Sequence, residues 1–161
     1  MKKTFVSLIL IISMITSTII PAFAAEPVSN EISESVTITY LDDGSYIVKT
    51  IVSNPVESRS STFTKTGNIV ASHYSGDDER LWQYTLYGEF LVNSGVSAVC
   101  TSATYTQNIY ASSWSFSNGQ ATASGNTAYG VGTFKDKVLF VTIKTVDVDL
   151  NIVCDIYGNL S

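Results

Sequence analysis

Apolar and polar residues alternate along short stretches of this chain, and the clearest stretch covers residues 81–92. Its even-numbered apolar side chains would share one face of a strand: Trp82, Tyr84, Leu86, Phe90 and Val92. Because successive side chains of a strand point to opposite faces, a period of two is typical of an antiparallel strand with one buried face. The pattern therefore predicts a half-buried strand that contributes a row of aromatic side chains to the core.

A β-hairpin is predicted upstream of this strand. Apolar residues alternate with threonines over residues 36–40, and the alternation resumes over residues 46–52. Between the two stretches, Asp42-Asp43-Gly44 supplies residues that favour tight turns. Residues 63–74 predict a further strand, interrupted at Thr66-Gly67-Asn68 by residues that favour turns.

Shorter strands are predicted after residue 92. Residues 96–105 and 114–116 have strand character, and the small polar residues 120–124 suit an edge strand. Asn118-Gly119 and Gly125-Asn126 are predicted turns between these strands.

The final segment, from Val138 to Cys154, is rich in β-branched residues and predicts a long strand. Asp136-Lys137 is predicted to turn the chain into this segment. Its apolar residues change parity along the way, which indicates a bulge or bend near Lys144-Thr145.

Eight or nine short strands separated by turns, without any capped stretch of helical period, predict an all-β fold. An antiparallel β-sandwich is the preferred architecture, because a disulfide between well-separated strands often bridges facing sheets. A barrel is the alternative.

The start of the chain has the features of a secretory signal. Lys2 and Lys3 precede a long apolar stretch, and Ala22-Phe23-Ala24 supplies the small residues that a signal peptidase reads. The predicted organisation is a signal peptide over residues 1–24, a flexible leader over 25–34 and a single domain over 35–161. A retained membrane anchor is the alternative for the first segment. We expect a secreted protein, extracellular or associated with the cell wall, with no membrane span after cleavage.

The charge of the chain excludes one class of partner. The formal net charge is −5, and loss of the two signal lysines would take it to about −7. The remaining lysines and arginines are scattered along the sequence. Since nucleic-acid binding needs a basic stripe to offset phosphate charge, no nucleic-acid partner is expected.

Cys100 and Cys154 are the only thiols. In an exported protein they predict an intrachain disulfide, and two buried unpaired thiols are the alternative. Asp147, Asp149 and Asn151 are spaced by two, so a strand would line them on one face, which invites a calcium interpretation. A hydrated polar stripe is the default interpretation, and no metal site or cofactor is predicted.

Two resemblances bear on fold and setting. The spacing of Cys100, Trp114 and Cys154 is similar to the immunoglobulin pattern, which implies an immunoglobulin-like or related sandwich. The chain ends in Cys154-Asp155-Ile156-Tyr157-Gly158-Asn159-Leu160-Ser161. Together with a tryptophan-containing strand and Ser/Thr-rich turns, this end resembles small exported proteins of Firmicutes-type bacteria to which no activity is attached. The resemblance implies an envelope or extracellular setting and supplies no catalytic residues.

Candidate chemistry is sparse. His73 is the single histidine and so the only general base with an ordinary pKa near neutrality. No serine lies in a Gly-x-Ser-x-Gly elbow, and no catalytic residue is predicted. Aromatic side chains among Ser, Thr and Asn could stack on sugars or enter a peptide groove. The candidate binding residues are Tyr105, Tyr110, Trp114 and Tyr129.

Three functional hypotheses follow. The leading one is a secreted, non-enzymatic domain that binds an envelope partner, either a cell-wall glycan, a peptide or a surface protein. The second is a bacteriocin-like antagonist, which small size and export favour but which the acidic charge and the lack of a basic amphipathic segment disfavour. A secreted hydrolase that uses His73 comes third.

Overall fold

The computed structural model describes residues 33–55 and 60–161, with side chains from residue 35 onwards. Eight β-strands make up this part of the chain, and no helix occurs in it. The strands are β1 Ser33–Tyr40, β2 Tyr46–Ser53, β3 Thr62–Tyr74, β4 Arg80–Asn93, β5 Ser97–Ile109, β6 Trp114–Ser124, β7 Thr127–Val138 and β8 Val141–Val153. The predicted signal peptide and most of the predicted leader lie outside the described residues. β1 begins two residues before the predicted start of the domain.

The strands form two antiparallel sheets, and each sheet follows the order of the chain. One sheet has five strands in the order β1-β2-β3-β4-β5, and the other has three in the order β6-β7-β8. The two sheets face each other across a shared core without closing into a barrel in the described part of the chain. The predicted all-β sandwich is therefore confirmed. Its two meanders differ from the immunoglobulin arrangement, in which strands of one sheet are separated in sequence.

The predicted strand at the centre of the protein is β4, and its apolar row is fully buried, as expected. Trp82 stacks on Phe134 of β7 with ring centroids 3.9 Å apart. Gly130 and Gly132 of β7 face this row closely. A Cβ at Gly130 would lie 2.9 Å from Leu86 Cδ1. The two glycines thus let the smaller sheet approach the aromatic side chains of β4.

The smaller sheet covers only part of the larger one. Its strand contacts come from β3, β4 and β5. Among the described residues, nothing covers the edge strand β1, and even its apolar side chains Val36, Ile38 and Tyr40 are exposed. The predicted hairpin of residues 36–52 is confirmed, with Tyr40 opposite Tyr46 next to the turn.

Two predicted interruptions do not occur. β3 runs without a break through Thr66-Gly67-Asn68. Gly67 does not mark a turn but leaves room for the C-terminal segment, since a Cβ there would lie 2.2 Å from Leu160 Cδ1. Asn118-Gly119 is not a turn between two strands but an irregularity within the single strand β6. Asn118 takes a positive φ of 57° there.

The turn before the last strand lies in a different place from the one predicted. Asp136 and Lys137 belong to β7, and the chain reverses at Leu139-Phe140. The polar pair has the better turn chemistry, yet its backbone pairs with Lys144 and Thr142 of β8. Ile143 is the unpaired residue between these partners, so the predicted bulge near Lys144-Thr145 does occur, one residue earlier.

Candidate functional site

Four chain reversals lie at one end of the sandwich, which we call the turn end. They are residues 41–45 between β1 and β2, 75–79 between β3 and β4, 110–113 between β5 and β6, and 139–140 between β7 and β8. Contacts between the turns and the strands join them. Lys144 of β8 forms an ion pair with Asp43, and Lys137 N–H donates to Ser113 O at 2.9 Å. The turn end holds three features: a polar network, a tyrosine row and an apolar hairpin tip.

The polar network is built around Ser45, which is buried at the base of the first turn. Its hydroxyl donates to Asp43 Oδ1 at 2.6 Å and accepts from Lys144 Nζ at 3.0 Å. His73 Nε2 lies 2.9 Å from the same hydroxyl oxygen. The hydrogen bond from Lys144, reinforced by that from Ser45, holds the pKa of the Asp43 carboxyl well below its usual range. The network ties the first turn to β3 and β8.

His73 is positioned as a hydrogen-bond donor. Ser45 has only one hydroxyl proton, and Asp43 accepts it, so His73 Nε2 must carry the proton that it shares with Ser45. Its Nδ1 is buried and has no partner among the described residues. Burial, with the nearby charge of Lys144, lowers the pKa of His73 to about 4. A Ser-His-Asp triad needs the opposite arrangement, with the acid on Nδ1 and Nε2 free to accept the serine proton.

A row of aromatic and cationic side chains crosses the outer face of the larger sheet at the turn end. We call it the tyrosine row, and it consists of Tyr40, Tyr46, Tyr74, Arg80 and Tyr110. The rings of Tyr46 and Tyr74 stack with centroids 5.1 Å apart and planes within 11°. Tyr40 lies 5.7 Å from Tyr46. The Arg80 guanidinium carbon sits 5.8 Å from the centre of the Tyr74 ring and 5.1 Å from that of Tyr110.

Hydrogen bonds fix the side chains of the tyrosine row. Tyr46 donates its hydroxyl to Asp78 Oδ1 at 2.9 Å, which raises the pKa of Tyr46. Gln83 Oε1 accepts from Arg80 Nη1 and from the Tyr110 hydroxyl, each at 3.2 Å. Tyr46, Arg80 and Tyr110 are thus held by hydrogen bonds, and Tyr40 and Tyr74 have ring contacts. These contacts restrict the rotamers of the row.

The four predicted binding residues do not come together. Trp114 is buried against His73 and Trp82, and Tyr105 packs between the sheets, stacked on Tyr84 at 5.3 Å. Tyr129 is exposed on the outer face of the smaller sheet. Of the four, only Tyr110 belongs to the tyrosine row.

Sequence reasoning missed the other members of the row because they lie in regular strands. One signal could have found them. Tyr40 and Tyr74 are the last residues before turns, and Tyr46 and Arg80 are the first residues after turns. In an antiparallel meander, residues that flank successive turns on the same side of the sheet become neighbours across the strands.

The apolar hairpin tip consists of residues 138–141, in which Val138 pairs with Val141 and Leu139-Phe140 forms the loop. Leu139 is 87% exposed and Phe140 99%. Both adopt positive φ, 48° and 71°, as a two-residue type I′ hairpin loop requires. Asn-Gly is the preferred pair for such a loop, whereas a left-handed conformation costs other residues roughly 1–2 kcal/mol each. Two large apolar residues are thus held, exposed, in an unfavourable conformation.

No protein-family model, no curated protein and no solved structure matches the chain. The resemblance to exported Firmicutes-type proteins stays a prediction. In the described ranges, no helix is long and apolar enough to cross a membrane.

The two cysteines are free thiols, both buried, at the end of the sandwich opposite the turn end. Their backbone N–H groups bond to consecutive residues of one turn, Cys100 to Gly125 O and Cys154 to Asn126 O. Each thiol contacts a carbonyl oxygen instead of the other sulfur, Cys100 that of Ser102 and Cys154 that of Asp155. Burial raises the pKa of Cys154 to about 11. The predicted disulfide is therefore not formed in this structure, and its formation in an oxidising environment stays a prediction.

The predicted polar stripe lies on one outer face of the smaller sheet. Asp147, Asp149 and Asn151 are all exposed on β8. Thr133 donates its hydroxyl to Asp147 Oδ1 at 2.8 Å. No group of three or more His, Cys, Asp or Glu side chains is placed to hold a metal ion among residues 33–55 and 60–161. The three side chains share one exposed face, as their spacing predicts, and the choice between a hydrated stripe and a calcium site stays a prediction.

Proposed function

We propose that this chain is an exported, non-enzymatic recognition module that binds a protein partner of the cell envelope through the tyrosine row. The observation behind this proposal is the composition and extent of the row. Four tyrosines and one arginine lie on a single face of the five-stranded sheet. They come from strand ends across its whole width. Five strands about 4.8 Å apart make this surface roughly 20 Å wide. That width matches one side of a modest protein interface.

The chemistry of the row favours a protein over a glycan. Tyrosine and arginine are enriched among the residues that dominate protein–protein binding energy. Rings that recognise sugars present an open face, whereas Tyr46 and Tyr74 cover each other and present their edges and hydroxyls. Arg80 adds a guanidinium fork, which suits a carboxylate of the partner. Because contacts within the row already restrict these side chains, binding should cost them less conformational entropy than free side chains would lose.

The hydrolase hypothesis has less support. A shallow cleft of about 300 Å³ at the turn end is lined in part by Asp43, Ser45 and Lys144. Ser45, however, gives its proton to Asp43, and His73 faces it as a donor, so the pair lacks the geometry of a nucleophile and base. The polar network is better suited to holding the turns that carry the tyrosine row.

The test is co-sedimentation of the processed chain, from Ala25, with isolated bacterial cell envelopes. Intact envelopes should pellet the protein, and envelopes stripped with protease should not. Pelleting that survives the protease would identify a glycan as the partner. A chain that pellets with neither preparation would overturn the proposal.

Paired variants assign the binding to the row. Tyr40→Ser with Tyr110→Ser removes its two outer rings, which are 73% and 52% exposed, and leaves the inner stack intact. We expect at least about tenfold weaker pelleting, as loss of interface hot spots produces. Tyr87→Ser and Tyr129→Ser are controls, since these tyrosines are also exposed, at 42% and 45%, but lie outside the row. They should bind like the unchanged protein.

A further inference from the structure

We propose that the apolar hairpin tip inserts into the interfacial region of a lipid bilayer that contains anionic lipid. This inference does not depend on the protein partner of the tyrosine row. It rests on the shape and exposure of the tip, on the charges behind it and on the strained conformation of its loop.

The exposed apolar side chains of the tip lie all around the hairpin and are not confined to one of its faces. The two loop residues and the Val138–Val141 pair are all more than half exposed. A protein groove would be expected to cover one face of such a hairpin and leave the other polar. Lipid surrounds an inserted element on all sides, so only a bilayer gives every one of these side chains an apolar environment.

The depth of the tip fits the interface of a bilayer. The apolar part contributes two residues to each side of the hairpin, which corresponds to about 7 Å along the strand direction. Amphipathic elements at the membrane surface typically bury their apolar groups to roughly 5–10 Å. Behind the tip, the Lys137–Thr142 pair begins the polar part of the hairpin. Insertion would therefore stop where the side chains become polar.

The charge behind the tip has the sign that anionic lipid attracts. Lys135, Lys137 and Lys144 all lie within three residues of the tip. Asp136 is the single acidic residue in the stretch 135–144, so the stretch carries +2 within a chain whose net charge is −5. Asp43, which pairs with Lys144 from the first turn, reduces this local charge to +1. The turn of residues 75–79, at the same end of the sandwich, adds three acidic side chains outside the hairpin. Lysines next to an inserted segment can extend toward the lipid headgroups.

The backbone conformation of the loop indicates that Leu139 and Phe140 do not stabilise the hairpin. Leu139 and Phe140 occupy positions where asparagine and glycine would relieve the strain, and neither packs into the core. Strained backbone of this kind persists mostly where it serves a function. An exposed apolar loop has such a function if the exposed side chains enter lipid.

The test is flotation of the processed chain, Ala25–Ser161, which contains all eight strands, with vesicles of phosphatidylcholine with and without phosphatidylglycerol. We expect the protein to float with the anionic vesicles and much less with the neutral ones. Leu139→Asn with Phe140→Gly should weaken flotation at least about tenfold, because two large apolar side chains no longer enter lipid. Since Asn-Gly suits the turn, the thermal midpoint of this variant should equal or exceed that of the unchanged protein.

Matched controls separate the tip from general exposure. Val96→Ser removes an apolar side chain that is 70% exposed at the opposite end, and it should float like the unchanged protein. The Tyr40→Ser, Tyr110→Ser pair should also float, which keeps this proposal distinct from the proposed protein partner. The inference is overturned if the unchanged protein does not float with anionic vesicles, if the Asn-Gly variant floats equally well, or if Val96→Ser weakens flotation as much as the tip variant.

A spectroscopic measurement checks the same step. Trp82 and Trp114 are both buried, so Phe140→Trp adds the single exposed tryptophan among the described residues. Its emission should shift to shorter wavelength when anionic vesicles are added. An unchanged emission in the presence of bound vesicles would contradict insertion of the tip.

Discussion

The chain reverses between antiparallel strands at both ends of the sandwich, but the residues in the turns differ between the two ends. At the end opposite the turn end, the residues with positive φ are Gly95, Gly125 and Gly158, where no side chain is strained. At the turn end, Gly44 and Asp78 take positive φ, which both residue types tolerate, but Leu139 and Phe140 do so as well. The opposite end therefore agrees with local conformational preference, and the turn end departs from it at one hairpin.

At the opposite end, hydrogen bonds also hold the C-terminal turn in place. Val153 and Ser161 exchange backbone hydrogen bonds of 2.8 and 3.0 Å. The Asp155 carboxylate accepts from the backbone N–H groups of Tyr157 and Asn159, both at 2.8 Å. The C-terminal turn is thereby tied to the sheet. Natural sequences are locally consistent except where function requires otherwise, so the contrast supports the proposal that the turn end is the binding surface.

The largest expected effect comes from removing the side chain that joins the turn end to the core. Trp114 is buried with its ring edge against His73, 5.2 Å between centroids. Trp114→Ala should lower the free energy of unfolding by about 3–5 kcal/mol, as other large-to-small core changes do. Urea unfolding measures this. Tyr129→Ala, at an exposed aromatic, should change stability by less than about 0.5 kcal/mol. Equal effects would contradict the different burial of the two residues.

The next effect depends on pH. Burial lowers the pKa of His73 from 6.5 to about 4, so between these values the unfolded chain binds a proton that the folded chain does not. Stability is complete above pH 6.5 and falls as the pH is lowered through this window, by roughly 2–3 kcal/mol. His73→Gln keeps a donor toward Ser45 but does not titrate. Urea unfolding across the window should show a smaller loss for His73→Gln, and an identical loss would contradict the assignment.

A smaller pair of effects should have opposite signs at the two ends. Gly125→Ala places a Cβ in open space but at a φ of 58°, so it should lower stability by about 1 kcal/mol. Leu139→Gly relieves the same kind of strain at the turn end and should raise stability by a similar amount. Thermal unfolding of the two variants decides this. Two changes of the same sign would remove the contrast on which the account rests.

The architecture could be predicted from sequence because a period of two fixes which side chains face the core. That is why the buried row of β4 and the hairpin of β1 and β2 were predicted correctly. The turn at Leu139-Phe140 could not be predicted, since local turn chemistry favours Asp136-Lys137 and pairing with β8 overrides it. The tyrosine row depends on the register of four strand pairs, so the positions of its members beside turns indicate the row only once the strands are known to form a meander. Trp114 was predicted as a binding residue because its short segment did not reveal the facing sheet.

The most direct test of the central claim compares matched tyrosines at the two ends of the sandwich. Tyr110 lies at the turn end and Tyr157 at the opposite end, and they are 52% and 65% exposed. Their serine variants should be equally stable, so envelope pelleting can be compared without correction for folding. We expect Tyr110→Ser to weaken pelleting several-fold and Tyr157→Ser to leave it unchanged. Weakened pelleting of Tyr157→Ser alone would contradict this expectation and assign the binding surface to the opposite end.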